Sequence, residues 1–123
     1  MSKHIYYFHS THWDREWYQS FQAYRKYLID TTERILNLLE DGTLEKYTFD
    51  GQTIVLKDIL ELRPGLRPRL EKLIQEGRLN VGPWYVMPDE FLVSAEAMLR
   101  NLQVGREIAR EFGHEPWTVA ELN

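Results

Sequence analysis

The spacing of apolar positions changes repeatedly along the chain. An apolar and aromatic run at residues 5–8, enclosed by polar neighbours, predicts a short buried strand. Three- and four-residue spacings follow. Tyr18, Phe21, Tyr24, Leu28, Ile35, Leu38 and Leu39 recur on one helical face, and Gly42 stands where a helix stop belongs. Tyr47–Phe49 predicts a second strand, broken by Asp50-Gly51. Ile54, Val55, Ile59 and Leu62 predict a short helix that ends before Pro64. Pro68 opens another, with Leu70, Leu73 and Ile74 inward and Gly77 closing it. Residues 79–84 predict a third strand. Ser94 is an N-cap candidate with Glu96 at the positive end of the helix dipole, followed by Leu99, Leu102, Ile108 and Phe112 on one face and by Gly113 as the stop. Residues 117–122 predict a fourth strand.

Strands alternating with helices argue for an α/β fold around a parallel sheet. There is no internal repeat, low-complexity stretch or linker in the 123 residues. A closed eight-stranded α/β barrel takes about 250 residues, so the chain accounts for about half of one, and it ends inside an apparent strand. The expectation is one partial domain over residues 1–123, with a small open α/β domain as the alternative.

Composition narrows the function classes. A hydrophobic fraction of 43% and a charged fraction of 28% describe a globular protein. Five Phe, four Trp and seven Tyr point to a substantial core, a sugar-binding surface, or both. A net charge of −4 without a long basic run argues against nucleic acid as a partner. The absence of cysteine removes disulfides and thiolate metal sites. No run approaches the roughly 18 apolar residues of a membrane span, and residues 1–10 lack a signal-peptide core. The expectation is a cytoplasmic protein with no membrane partner.

The densest chemistry follows the first predicted strand, at Ser10-Thr11-His12-Trp13-Asp14-Arg15-Glu16-Trp17. Residues two apart in an extended segment point the same way, so His12 and Asp14 face one point, and an imidazole and a carboxylate are both zinc donors. Two donors are fewer than a zinc site takes from its protein, and a solvated loop carries the same pair. Trp13 and Trp17 offer aromatic faces for a pyranose, or simply pack in the core. Asp50 is placed either to bond a sugar hydroxyl or to form an Asp-Gly turn. At the third strand end, Trp84 and the adjacent carboxylates Asp89 and Glu90 are candidates. Consecutive side chains diverge, so Glu90 reads as solvated and Asp89 stays open. His4, His9 and His114 read as surface or structural, and Lys57, Arg67, Arg69 and Lys72 as solvated helix faces.

Together, three segments resemble glycoside hydrolase family 38, the α-mannosidases: His12-Trp13-Asp14-Arg15-Glu16-Trp17-Tyr18; Phe49-Asp50-Gly51-Gln52-Thr53; and Gly77-Arg78 through Gly82-Pro83-Trp84-Tyr85 to Asp89-Glu90, continued by Ser94, Glu96, Arg100-Asn101-Leu102 and Gly105. The Asp-Arg-Glu-Trp form resembles the bacterial branch, which includes mannosylglycerate-type hydrolases. The resemblance implies the N-terminal part of a seven-stranded β/α barrel and a retaining hydrolase of α-mannosides. It also implies one zinc ion, with His12 and Asp14 as two of its ligands and Trp17 beneath the sugar. Asp50, Trp84 and Asp89 complete the substrate-binding candidates. Ser10 stands where many members carry a second histidine. The family's nucleophile, an aspartate, falls at or beyond Asn123, so no catalytic residue is assigned and the isolated chain is expected to be inactive. The alternatives are a non-catalytic carbohydrate-binding remnant and a metal-dependent polysaccharide deacetylase; the deacetylases lack the Gly-Pro-Trp-Tyr and Asp-Gly-Gln-Thr segments.

Overall fold

Parallel strands need a long crossover between them, and here the crossover supplies much of the core. The computed structural model describes residues 3–115. Helix α1 (Phe21–Glu40) leads to strand β1 (Tyr47–Phe49), helix α2 (Ile54–Leu62), a 3-10 turn (Pro64–Leu66), helix α3 (Arg67–Gln75), strand β2 (Leu79–Val81) and helix α4 (Ala95–Glu111). β1 and β2 pair in parallel, with Tyr47 opposite Leu79, Thr48 opposite Asn80 and Phe49 opposite Val81. Tyr47, Phe49, Leu79 and Val81 are buried, whereas Thr48 and Asn80 between them are half-buried.

Leu36 and Leu39 of α1, Leu56 and Ile59 of α2, and Leu70, Leu73 and Ile74 of α3 converge on the strands' apolar residues, and Ile108, Ala109 and Phe112 at the end of α4 close the same cluster. Burying each such Leu or Ile side chain contributes about 1.5–3 kcal/mol, so the three- and four-residue spacing is what holds these helices. Gly42, Gly77 and Gly113 end α1, α3 and α4 as expected. The Ser94 hydroxyl accepts a bond from the Ala97 N–H at 3.2 Å, which makes it the N-cap of α4.

The first predicted strand is not formed. The side chains of residues 5–8 are between 73% and 94% exposed, and pairing begins only where Thr48 N–H donates to the His9 carbonyl at 3.0 Å and Ser10 bridges Thr48 in parallel. The composition suits a strand, but a strand exists through its partners, and no described residue covers this one. The described sheet therefore has two strands extended by isolated bridges. The third predicted strand shortens to Leu79–Val81, with Trp84 rejoining the ladder opposite Gln52. The strand predicted at residues 117–122 lies outside the described residues.

Three helix-face assignments also change. Tyr18 precedes α1 and is 88% exposed, Leu62 is 43% exposed, and Leu99 is 65% exposed. The inner face of α4 is instead Gly105, Ile108 and Ala109, because its middle lies against the backbone after β2. Arg69 is more than a solvated residue: its guanidinium reaches Glu40 at 2.8 Å and Asn37 at 2.7 Å, joining α3 to α1. Arg25, 6% exposed, reaches Glu61 at 2.7 Å and so joins α1 to α2.

Past the end of α4, burial lowers the basicity of His114, with Glu115 opposing it. A histidine whose folded-state pKa lies below its unfolded value is protonated more readily by the unfolded chain, so stability falls as pH drops through 6.5 toward the folded pKa. The urea midpoint of the protein should decline between pH 7 and pH 5, and His114→Gln should flatten that decline. An unchanged slope in the variant would remove His114 from the effect. Among the described residues, no helix is long and apolar enough to cross a membrane.

Candidate active site

The ladder between β1 and β2 is interrupted once, and the interruption builds the site. After Phe49 opposite Val81 it breaks, then resumes at Gln52 opposite Trp84. Asp50 and Gly51, with φ of 33° and 61°, fill the gap on one side, and Gly82-Pro83 fills it on the other. An aspartate tolerates the left-handed region better than most residues and glycine enters it freely, so the Asp-Gly dipeptide is what lets the chain turn there. Trp84 N–H donates to the Gly51 carbonyl at 3.0 Å, and the Thr53 N–H and hydroxyl both donate to the Trp84 carbonyl, at 2.8 and 3.1 Å.

These strand ends and the segment after Ser10 enclose a cleft of about 1080 Å³. His12, Asp14, Trp17, Asp50, Trp84 and Asp89, the six candidates from three separated segments, all line it. Their environments differ. Trp17 is 66% exposed, so its indole is free to meet a ligand, while Trp84 is 3% exposed and forms wall. Trp13 is half-buried, packs on the core and meets Tyr24 edge-on at 6.0 Å, which is the packing role. Asp89 and Glu90 are exposed at the rim, and the Asp89 carboxylate accepts a bond from the Phe91 N–H at 3.3 Å.

Asp50 is the best-held group. Its side chain is 5% exposed, one oxygen accepts the Trp13 N–H at 2.5 Å and the Gln52 amide at 2.9 Å, and the other lies 3.7 Å from His12 Nδ1. Gln52 also donates to the Trp13 carbonyl at 2.8 Å. The His12 side chain is 71% exposed and faces the cleft. Arg15 anchors the same loop from behind through a two-pronged contact with the buried Asp58 of α2, at 2.8 and 3.0 Å, and lies over the Phe21 ring. Hydrogen bonding to Asp58 holds the Arg15 guanidinium even more firmly protonated than usual.

Two groups escaped assignment from the sequence. Gln52 was part of a noted segment without a role of its own, and its alternation with Asp50 was the available signal. Asn101 shapes the opposite wall: its side-chain oxygen accepts the Tyr85 and Val86 N–H groups at 2.9 and 3.0 Å, and its amide donates to the Val86 carbonyl at 2.6 Å. No local pattern marks that role.

His12 and Asp14 have the donor chemistry for zinc and open onto one cleft. Among the described residues, no group of three or more His, Cys, Asp or Glu is placed to hold a metal. The pair thus fits part of a coordination shell.

The model of the glycosyl hydrolases family 38 N-terminal domain matches residues 2–121. A protein of Halalkalibacterium halodurans described as "Putative mannosylglycerate hydrolase" is 45% identical over 106 residues, which cover 85% of this chain and 12% of that protein. An α-mannosidase from Enterococcus faecalis V583 superposes with a TM-score of 0.84 at 35% identity, over 89% of this chain and 12% of that one. A structure of a protein in glycosyl hydrolase family 38 from Enterococcus faecalis gives a TM-score of 0.80 at 32% identity, over 91% of this chain and 13% of that one. The chain thus spans about an eighth of the length of these relatives. Matched over nearly all of its residues, the chain belongs to glycosyl hydrolase family 38, within the N-terminal domain.

Proposed function

We propose that this chain is the part of a retaining α-mannosidase's catalytic β/α barrel that contributes His12 and Asp14 to a zinc site and one wall of the cleaved-sugar subsite. The observation that carries this reading is the convergence of all six candidate residues on one cleft at the ends of parallel strands, where folds of this kind place their chemistry. The descriptions of the relatives, an α-mannosidase and a "Putative mannosylglycerate hydrolase", agree with an α-mannoside as substrate.

Within this reading each side chain has a task. The His12 imidazole and the Asp14 carboxylate are donors to zinc, which when bound would hold hydroxyls of the sugar. The exposed Trp17 indole stacks against the apolar face of the pyranose. Trp84 forms wall behind it, and Asp89 accepts bonds from hydroxyls at the rim. A retaining mechanism needs two carboxyl groups about 5 Å apart, and this reading assigns neither of them to a residue of this chain.

The isolated chain should therefore not hydrolyse an activated aryl α-mannoside, even with zinc added. Calorimetry with zinc should give weak binding that is lost in both His12→Ala and Asp14→Ala, since two protein donors make half of a four-coordinate shell. Turnover that disappears in His12→Ala would show that the catalytic groups lie inside this chain. Tight zinc binding indifferent to both substitutions would move the metal elsewhere.

A further inference from the structure

The Asp50-x-Gln52 pair is built around the residue that separates the two proposed metal donors. Asp50 Oδ2 takes the N–H of Trp13 and Gln52 Nε2 takes its carbonyl, while Gln52 also bonds Asp50 Oδ2. Both polar groups of residue 13 are thereby occupied, one on the His12 side and one on the Asp14 side. The remaining oxygen, Oδ1, faces His12 Nδ1 at 3.7 Å. That is just outside hydrogen-bond length, and contacts of this kind often tighten when a site is loaded. A carboxylate with 5% exposure and two donors on one oxygen is poorly placed to reach a sugar.

We propose that Asp50 and Gln52 are positioning residues: Asp50 Oδ1 holds the proton of His12 on Nδ1, so that Nε2 is the atom presented to the cation, and the two residues together fix the Trp13 peptide so that His12 and Asp14 stay on one side. The inference rests on His12 being a metal donor. Its physical basis is general. A ligating histidine is oriented by an acceptor on its other nitrogen, and loss of that acceptor weakens metal binding by about 10–100-fold.

Asp50→Asn separates orientation from folding. Asparagine accepts the left-handed backbone of position 50, and its side-chain oxygen can take over both bonds now made to Oδ2. Its NH2 would then face His12 Nδ1, presenting a donor where an acceptor stood. Nitrogen-15 NMR of the imidazole in the 123-residue chain reads the outcome directly. In the unsubstituted chain, neutral His12 should be the Nδ1–H tautomer, and added zinc should shift the Nε2 resonance. In Asp50→Asn, with an unchanged unfolding midpoint, the tautomer should invert and zinc affinity should fall at least tenfold. Gln52→Leu should lower affinity while keeping the tautomer.

An Nε2–H tautomer in the unsubstituted chain would overturn the proposal, as would a zinc-induced shift at Nδ1, which would place the cation between His12 and Asp50. Zinc affinity unchanged in Asp50→Asn but lost in His12→Ala would sink the orienting role alone and leave His12 as a ligand. Zinc affinity unchanged in His12→Ala would sink the ligand assignment itself.

Discussion

Gly105→Ala should destabilise the protein strongly, although it adds a single methyl group. A Cβ built on Gly105 lies 2.1 Å from the Pro83 carbonyl oxygen, 2.3 Å from the Trp84 carbonyl carbon and 2.4 Å from the Tyr85 nitrogen. All three are backbone atoms of the segment that carries Trp84 into the cleft wall, so no side chain can swing aside. Either α4 or the segment after β2 must move by more than an ångström, against the bonds from Trp84 to Gly51 and from Thr53 to Trp84. Overpacking of this kind reaches the top of the usual range, about 3 kcal/mol, or exceeds it. Gly65→Ala is the control: nothing lies within 4 Å of its Cβ position and its φ is not positive, so its effect should stay within about 0.5 kcal/mol. Urea unfolding of the two variants beside the unsubstituted chain checks the contrast. Equal midpoints for both would mean that α4 does not approach the segment this closely.

Asn101→Ala should follow in size. The Asn101 side chain makes three bonds to the backbone of Tyr85 and Val86. Tyr85 N–H also points to the Asn101 carbonyl at 3.3 Å, so it keeps a partner in the variant. The Val86 N–H and carbonyl lose theirs in a half-buried setting. A buried polar group left unpaired costs about 1–3 kcal/mol. Partial access of water reduces that, and the expected total loss is about 2 kcal/mol. The effect should also be local, because Val86, Met87 and Pro88 line the cleft. Amide exchange at Val86 should accelerate more than exchange in the strands. Asn101→Asp retains the acceptor for both N–H groups but turns a carboxylate oxygen toward the Val86 carbonyl, so it should recover only part of the loss. Full stability in Asn101→Ala would show that these bonds are readily replaced by water.

Both positions illustrate how far local reading reaches. Asn101 and Gly105 stand in the segment by which the chain resembles its family, yet nothing in helical periodicity distinguishes them from other residues of α4. The Asn101 bonds span 15 and 16 positions in sequence, and the Gly105 contact depends on where a separate segment lies. Leu99 shows the converse. Nine residues before Ile108, it lies about half a turn round the helix from that inner stripe, so its side chain stays outside the core. At the other end of the chain, the apolar run at residues 5–8 had the composition of a buried strand and remains exposed, because burial needs covering elements that no spacing within four residues can supply.

What the amino-acid order determined by itself is what depends on neighbours within a few positions. The helices α1 to α4, the glycine stops of α1, α3 and α4, the Ser94 cap, the Asp-Gly turn after β1 and the parallel alternation of strand and helix all follow from side-chain period and backbone preference. The candidates lining the cleft were legible mainly through the resemblance to the family: read locally, Asp50 forms an Asp-Gly turn equally well, and Trp84 stands beyond β2, after Gly82-Pro83. The tertiary structure alone decided what each of those residues faces. It buried Asp50 against the Trp13 peptide and aimed its free oxygen at His12, left Trp17 open while closing over Trp84, and paired Arg15 with Asp58 across 43 positions. The physical reason is distance along the chain. Local preferences fix the direction of a side chain relative to its own backbone, whereas its partner is set by packing between segments that meet only when the core closes.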